Sequence, residues 1–123
     1  MDFRLLGRLE VWDGSRPVGL GGPKQKAVLT AVLLRHGEVV STDLLMDDVW
    51  GEGTSSGTAK TLQVYVWQLR RLLEPGRLPG SPPEVLVTQS PGYVLRIDAE
   101  QLDAERFDRL ARSGHGANRK SVV

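Results

Sequence analysis

The chain has no cysteine among its 123 residues. Disulfide scaffolds, zinc–thiolate sites and thiol catalysis are therefore excluded. Histidine is nearly absent too. His36 and His115 each lie near a glycine, and neither has a carboxylate at a spacing suited to acid–base work. No apolar run approaches the roughly 20 residues needed to cross a bilayer. Met1-Asp2-Phe3-Arg4 lacks the basic-then-apolar layout of a secretion signal, so a cytoplasmic protein without a membrane partner is expected. The glycine-rich stretch Gly19-Leu20-Gly21-Gly22-Pro23-Lys24 lacks the Gly-Lys-Ser/Thr ending that lets a P-loop hold phosphate and magnesium. Asp43, Asp47 and Asp48 lack the alternating spacing of a calcium loop. With no nucleophile or metal cluster in sight, the expectation is a non-enzyme with no cofactor and no metal.

What is present suits a folded domain. The chain is 40% hydrophobic and 25% charged, and it is long enough to bury one real core. Its net charge of +1 conceals an asymmetry. From Gly57 to Leu78 there are four bases (Lys60, Arg70, Arg71, Arg77) against one acid, Glu74. From Glu38 to Ser56 there are five acids (Glu38, Asp43, Asp47, Asp48, Glu52) and no base. A basic segment beside an acidic one makes a polarised surface.

The first stretch reads as strands, Phe3–Leu6 and Leu9–Trp12, with a turn at Asp13-Gly14-Ser15 and a return at Arg16–Val18. Pro23 suits the first position of a helix, because its missing N–H has no partner to lose there. That helix runs to about Arg35, apolar almost all round, with Gly37 as the expected C-terminal cap. Ser41 or Thr42 is expected to cap a second helix carrying Leu44, Leu45, Val49 and Trp50. A loop spans Gly51–Gly57. The third helix, about Thr58 to Glu74, is the longest and stops at Pro75-Gly76. Val85–Thr88 and Tyr93–Ile97 read as a hairpin around Gln89-Ser90-Pro91-Gly92. A helix-prone stretch follows from Asp98 to about Ser113, and 114–123 has no pattern. Strands, three helices and a hairpin, with the last helix basic, is the layout of an α+β winged helix-turn-helix.

The third helix carries the strongest functional signal. Leu62, Val66, Leu69 and Leu73 recur at +4, +3 and +4, so one face packs inward. Lys60, Val64, Trp67, Gln68 and Arg71 then fall opposite. A helix held by a core on one side can offer the other to base edges in a major groove. Lys60 and Arg71 suit phosphate or guanine, Gln68 suits adenine, and Val64 suits a thymine methyl. The bland alternative is a solvated face, or burial of Val64 and Trp67 against another element. Trp50 has two readings as well, a core residue or an indole N–H donated to a phosphate. The acids of the second helix read as a solvated face or as a patch for a basic partner.

Several ordered motifs then converge on one resemblance. Phe3-Arg4-Leu5-Leu6-Gly7-Arg8-Leu9-Glu10-Val11, Leu20-Gly21-Gly22-Pro23-Lys24-Gln25-Lys26-Ala27-Val28-Leu29, Asp48-Val49-Trp50-Gly51, the run Thr61–Gly76 and Pro91-Gly92-Tyr93-Val94-Leu95 resemble the Streptomyces antibiotic regulatory protein (SARP) family. The resemblance covers about 1–113. It implies an OmpR/PhoB-type winged-helix DNA-binding domain over 1–97, in which a four-stranded N-terminal sheet precedes three helices and the hairpin forms the wing. It implies the start of a truncated helical activation domain over 98–113, including Leu102-Asp103-Ala104-Glu105-Arg106-Phe107, and a flexible tail over 114–123. Trp50, Lys60, Thr61 and Tyr65 fall where such regulators touch phosphates. Val64, Gln68, Gln63 and Arg70 fall where they approach bases. The loop Gly51–Gly57, with Glu52, Thr54 and Ser55, corresponds to a segment that can contact a sigma factor. The implied partners are double-stranded promoter DNA with direct repeats, RNA polymerase, and a second copy head-to-tail on the DNA. The implied role is a nucleoid-associated, pathway-specific activator of antibiotic or secondary-metabolite genes, against the alternative of a protein-docking module. Gln89 and Ser90 mark the wing tip. Many relatives carry arginine there, and neutral Gln89 forgoes the attraction of a narrow minor groove.

Overall fold

A computed structural model of the protein describes residues 1–6, 8–51 and 57–102. The expected loop residues Glu52, Thr54 and Ser55, the helix-prone stretch beyond Leu102 and the tail 114–123 lie outside them. Within the span 1–97 expected as one domain, the described residues up to Val18 cluster with 98–102, and the described residues from Gly19 to Ile97 form a second compact unit.

The first unit is built on β1 (Asp2–Arg4), β2 (Glu10–Asp13) and β3 (Arg16–Pro17), paired antiparallel in that order. The β2–β3 turn takes Gly14 at φ 63°, a left-handed conformation that glycine enters without steric cost. Phe3 and Val11 are cross-strand partners and both are buried. On the other face Arg4 lies 4.6 Å over the Trp12 ring. A parallel bridge joins Phe3 to Leu102, and Gln101 Nε2 donates to Met1 O at 3.1 Å. The N-terminal sheet thus has three strands among the described residues, not the four that the resemblance implied. Leu5 and Leu6, expected in the first strand, fall outside it.

The second unit carries α1 (Pro23–Leu34), β4 (Val40–Ser41), α2 (Thr42–Trp50), α3 (Thr58–Leu73), β5 (Leu86–Gln89) and β6 (Gly92–Leu95). Pro23 opens α1 as expected. Gln25 is buried on α1, and its Nε2 donates to Leu20 O at 3.0 Å, which satisfies the amide. Ser41 caps α2: its Oγ accepts from Leu44 N at 3.0 Å. Gly37 takes φ 84°, but it does not cap α1, whose C-cap is Arg35. The Gly37 N–H instead donates to Leu95 O at 2.8 Å and ties the segment after α1 to β6. The core draws Val28, Leu29, Val32 and Leu33 from α1, Leu45 from α2, Leu62, Val66, Leu69 and Leu73 from α3, and the cross-strand pair Leu86 and Leu95 from the hairpin.

Beta4 is the element that the sequence pattern does not disclose. It pairs antiparallel with β6, Val40 opposite Tyr93 and Ser41 opposite Gly92, so the second sheet runs β4-β6-β5. This makes β6 a central strand, and all four of its residues are buried. The wing is therefore anchored near its turn, at Gly92 and Tyr93, to the entry of α2.

Candidate nucleic-acid interface

At about 100° per residue, Lys60, Val64, Trp67 and Arg71 share a narrow arc of α3 opposite the buried Leu62, Val66, Leu69 and Leu73. All four are exposed, Val64 at 51% and Trp67 at 55%. Water ordinarily selects against two large apolar side chains in the middle of such a face. The Arg71 guanidinium lies 4.9 Å from the Trp67 ring centroid, so the cation rests on the indole one helical turn below it. Gln63 and Gln68 are exposed on the two shoulders of the arc. Each is an amide with both donor and acceptor. The alternative of Val64 and Trp67 buried against another element does not hold among the described residues.

The shoulder toward α2 carries Thr61 and Tyr65, both half-buried. Thr61 Oγ1 donates to Gly57 O at 3.1 Å, which occupies its hydrogen in the first turn. Tyr65 stacks on Trp50, with ring centroids 5.9 Å apart and planes 4° from parallel. Trp50 is thus half-buried at the rim of the core, not inside it. Lys24 of α1 joins the pair: its Nζ donates to Val49 O at 3.2 Å and lies 5.9 Å from the Trp50 centroid. Sequence pattern gave Lys24 no role, because nothing local links the start of α1 to the end of α2.

Arg70 takes a different part from the base contact expected of it. It lies on the shoulder facing the hairpin. Its Nε donates to Leu86 O at 2.8 Å and its Nη2 to Thr88 Oγ1 at 2.6 Å, while the guanidinium carbon sits 5.8 Å from the Tyr93 ring. Burial lowers its pKa from the ordinary arginine value, and the nearby Arg77 charge adds to that. Arginine remains protonated at neutral pH regardless. The side chain is committed to holding β5 and β6 against α3. Arg70→Met should therefore cost about 1.5 kcal/mol of stability, the scale of hydrogen bonds to a charged group, seen as a lower urea midpoint. An unchanged midpoint would leave Arg70 free for DNA.

The wing turn is held as well. Thr42, the first residue of α2, donates to Pro91 O through its N–H at 3.2 Å and its Oγ1 at 3.4 Å. Gln89, Ser90 and Pro91 remain exposed. Although Gln89 is neutral, its Oε1 accepts from Arg96 Nη2 at 3.5 Å, so a cation from beyond β6 reaches along the hairpin to the tip. Glu74 closes the other end: its Oε2 accepts from the N–H groups of Glu84 (2.9 Å) and Val85 (3.1 Å), which sets the start of β5. Among the described residues no group of three or more His, Asp or Glu is placed to hold a metal ion, and no helix is long and apolar enough to cross a membrane.

Three helices, the third turning a cationic and partly apolar face outward beside an anchored hairpin, define a winged-helix domain. The chain belongs to the family described as "Transcriptional regulatory protein, C terminal", of OmpR/PhoB type, whose model matches residues 16–95. It is 35% identical over 115 residues to the regulatory protein AfsR of Streptomyces griseus, a match covering 94% of this chain and 11% of AfsR. It is similar to the solved Mycobacterium tuberculosis EmbR in complex with a low-affinity phosphopeptide, at a TM-score of 0.84 and 36% identity, over 92% of this chain and 29% of that one. The DNA-binding domain of Escherichia coli CadC shares the fold at a TM-score of 0.59 and 23% identity, over 72% of this chain and 79% of that domain. AfsR and EmbR are SARP-family regulators, and this chain is a DNA-binding domain of that kind, not an enzyme. It spans about a tenth of AfsR and under a third of EmbR.

Proposed function

We propose that α3 enters the major groove of promoter DNA and that the chain activates transcription of an antibiotic or secondary-metabolite pathway. The exposed Lys60, Val64, Trp67 and Arg71 arc carries this reading. A helix with its side chains is about 10–12 Å across, and the major groove is about 12 Å wide. An α3 seated there puts its outer arc at base edges and its shoulders at the two phosphate walls. Arg71, steadied on Trp67, is placed to read guanine. Gln68 is placed for adenine and Val64 for a thymine methyl, with Gln63 on the far shoulder. Lys60, Thr61, Tyr65 and Trp50 face the backbone. Gln89 and Ser90 approach the minor groove with Arg96 behind them.

On this reading two copies bind direct repeats head-to-tail. The loop beginning at Gly51 and running through Glu52, Thr54 and Ser55 meets the sigma factor of RNA polymerase. Residues 98–113 open a helical activation domain, and the working compartment is the cytoplasm, at the nucleoid.

Footprinting on DNA upstream of neighbouring genes supplies the site, and gel shifts on that site supply the test. Arg71→Ala or Gln68→Ala should cost about 1–3 kcal/mol of binding and relax preference at one base pair. Lys60→Gln should weaken all sequences alike and reduce the salt slope by about one. If all three variants bind as the wild type does, α3 does not enter the groove. A chain that binds no duplex even at low salt would instead be a protein-docking module.

A further inference from the structure

We propose that Lys24 of α1 joins Trp50 on one DNA backbone phosphate, completing a seat by which α1 grips the duplex alongside α3. The proposal rests on the docking of α3 set out above. Three helices meet at this seat. Lys24 lies in the first turn of α1, Trp50 ends α2, and Tyr65 belongs to the shoulder of α3 next to the outward arc. The parallel stack of Trp50 on Tyr65 fixes the indole plane against α3. The Lys24 ammonium is fixed in turn by Val49 O at 3.2 Å and stands 5.9 Å from the indole centroid.

A long lysine stem loses rotamer freedom when it is held, and that cost is already met before DNA arrives. The ammonium has three N–H donors and spends one on Val49 O, leaving two. Trp50 is half-buried, and its indole has a single N–H donor to offer. An anion between them would take a charge-assisted bond from lysine and a neutral one from tryptophan. With α3 in the groove, its shoulders face the phosphate walls, and this pair stands on one shoulder.

A purely structural role is the competing account. Alpha2 has no basic residue in its last turn, so Lys24 also offsets the negative end of that helix. The two roles differ in what they make salt-dependent. Neutralising a phosphate releases a counterion and steepens the decline of log K with log salt, by about 0.9 per contact on B-DNA. A helix-end contact within the protein leaves that slope alone.

The experiment is a salt titration of the full chain on a random duplex and on its footprinted site, for the wild type, Lys24→Gln, Lys24→Arg and Lys26→Gln. Lys26 is exposed on α1 and stands about 200° around the helix from Lys24, so it serves as the internal control. The expected result is a slope shallower by about 0.9 for Lys24→Gln on both duplexes, near-wild-type slopes for Lys24→Arg, and no change for Lys26→Gln. Trp50→Phe, which keeps an aromatic ring and removes the N–H, should weaken binding less in the Lys24→Gln background than alone, since the two share one phosphate. An unchanged slope for Lys24→Gln overturns the seat, and a lowered melting temperature alongside it would mark Lys24 as a helix-end residue only. An equal slope loss for Lys26→Gln also overturns it, by showing a diffuse charge effect. A wild type that binds neither duplex refutes the docking of α3 itself and removes the seat with it.

Discussion

Gly92→Ala should lower stability by about 4 kcal/mol and the melting temperature by roughly 15 °C or more, the largest effect expected of a methyl added at any described glycine. Gly92 does not have a positive φ, so conformational strain is not the reason. The reason is space. A Cβ at this position would stand 1.9 Å from Val40 O and 2.7 Å from Ser41 Cα. Both obstacles are backbone, and neither can rotate aside as a side-chain tip would. Relief requires β4 to leave β6, which abandons the Ser41–Gly92 register. Ser41 is also the N-cap of α2, and Thr42 holds the wing turn through Pro91 O, so the displacement reaches the helix entry and the hairpin together. Overpacking in a core commonly costs about 1–3 kcal/mol, and a backbone-on-backbone collision belongs above that range. Thermal melting followed by circular dichroism measures it. A melting temperature close to wild type would show that β4 does not press on Gly92.

The second large effect separates the two edges of α3 by comparing residues two positions apart. Leu69 has no exposed surface, and Leu69→Ala should cost about 3 kcal/mol from lost transfer energy and the cavity left behind. Trp67 is 55% exposed, and Trp67→Ala should change stability by no more than about 0.5 kcal/mol. DNA affinity should respond in the opposite sense. Trp67→Ala removes the support under Arg71, a contact worth about 0.5–1 kcal/mol at an exposed site, together with the apolar surface offered to the groove. Leu69→Ala, assayed where it is still folded, should bind nearly as the wild type does. Urea unfolding and gel shifts on the same preparations read both quantities. Should Trp67→Ala destabilise the domain as much as Leu69→Ala, the outward edge is packed rather than presented.

The periodicity of α3 was readable because its two edges differ in kind: leucine and valine at helical spacing on one, lysine, tryptophan and arginine on the other. A cap at Ser41 or Thr42, which the structure resolves as Ser41, and Pro23 as the first residue of α1 were readable for the same local reason, since each acts within one turn of itself. Beta4 was not. Two residues have no periodicity, and Val40-Ser41 become a strand only because Gly92 leaves room beside it. Arg70 illustrates a second kind of limit. The family resemblance implies a base contact for it, yet its position on the shoulder delivers it to Leu86 O and Thr88. The apparent lack of charge at the wing tip was a third. Arg96 lies seven residues from Gln89 in the chain and comes to it only through the antiparallel hairpin.

By itself, the order of residues determined the class of this protein: which segments are helices, which edge of the longest helix is apolar, and which edge carries charge. Those properties depend on neighbours within a few positions, and helical spacing encodes them directly. The tertiary structure alone decided which cations are free to meet a polyanion and which are used internally. Packing set Lys24 beside Trp50, Arg96 beside Gln89 and Arg70 against Leu86 O, because reach and burial depend on residues far away in the chain that only packing makes adjacent.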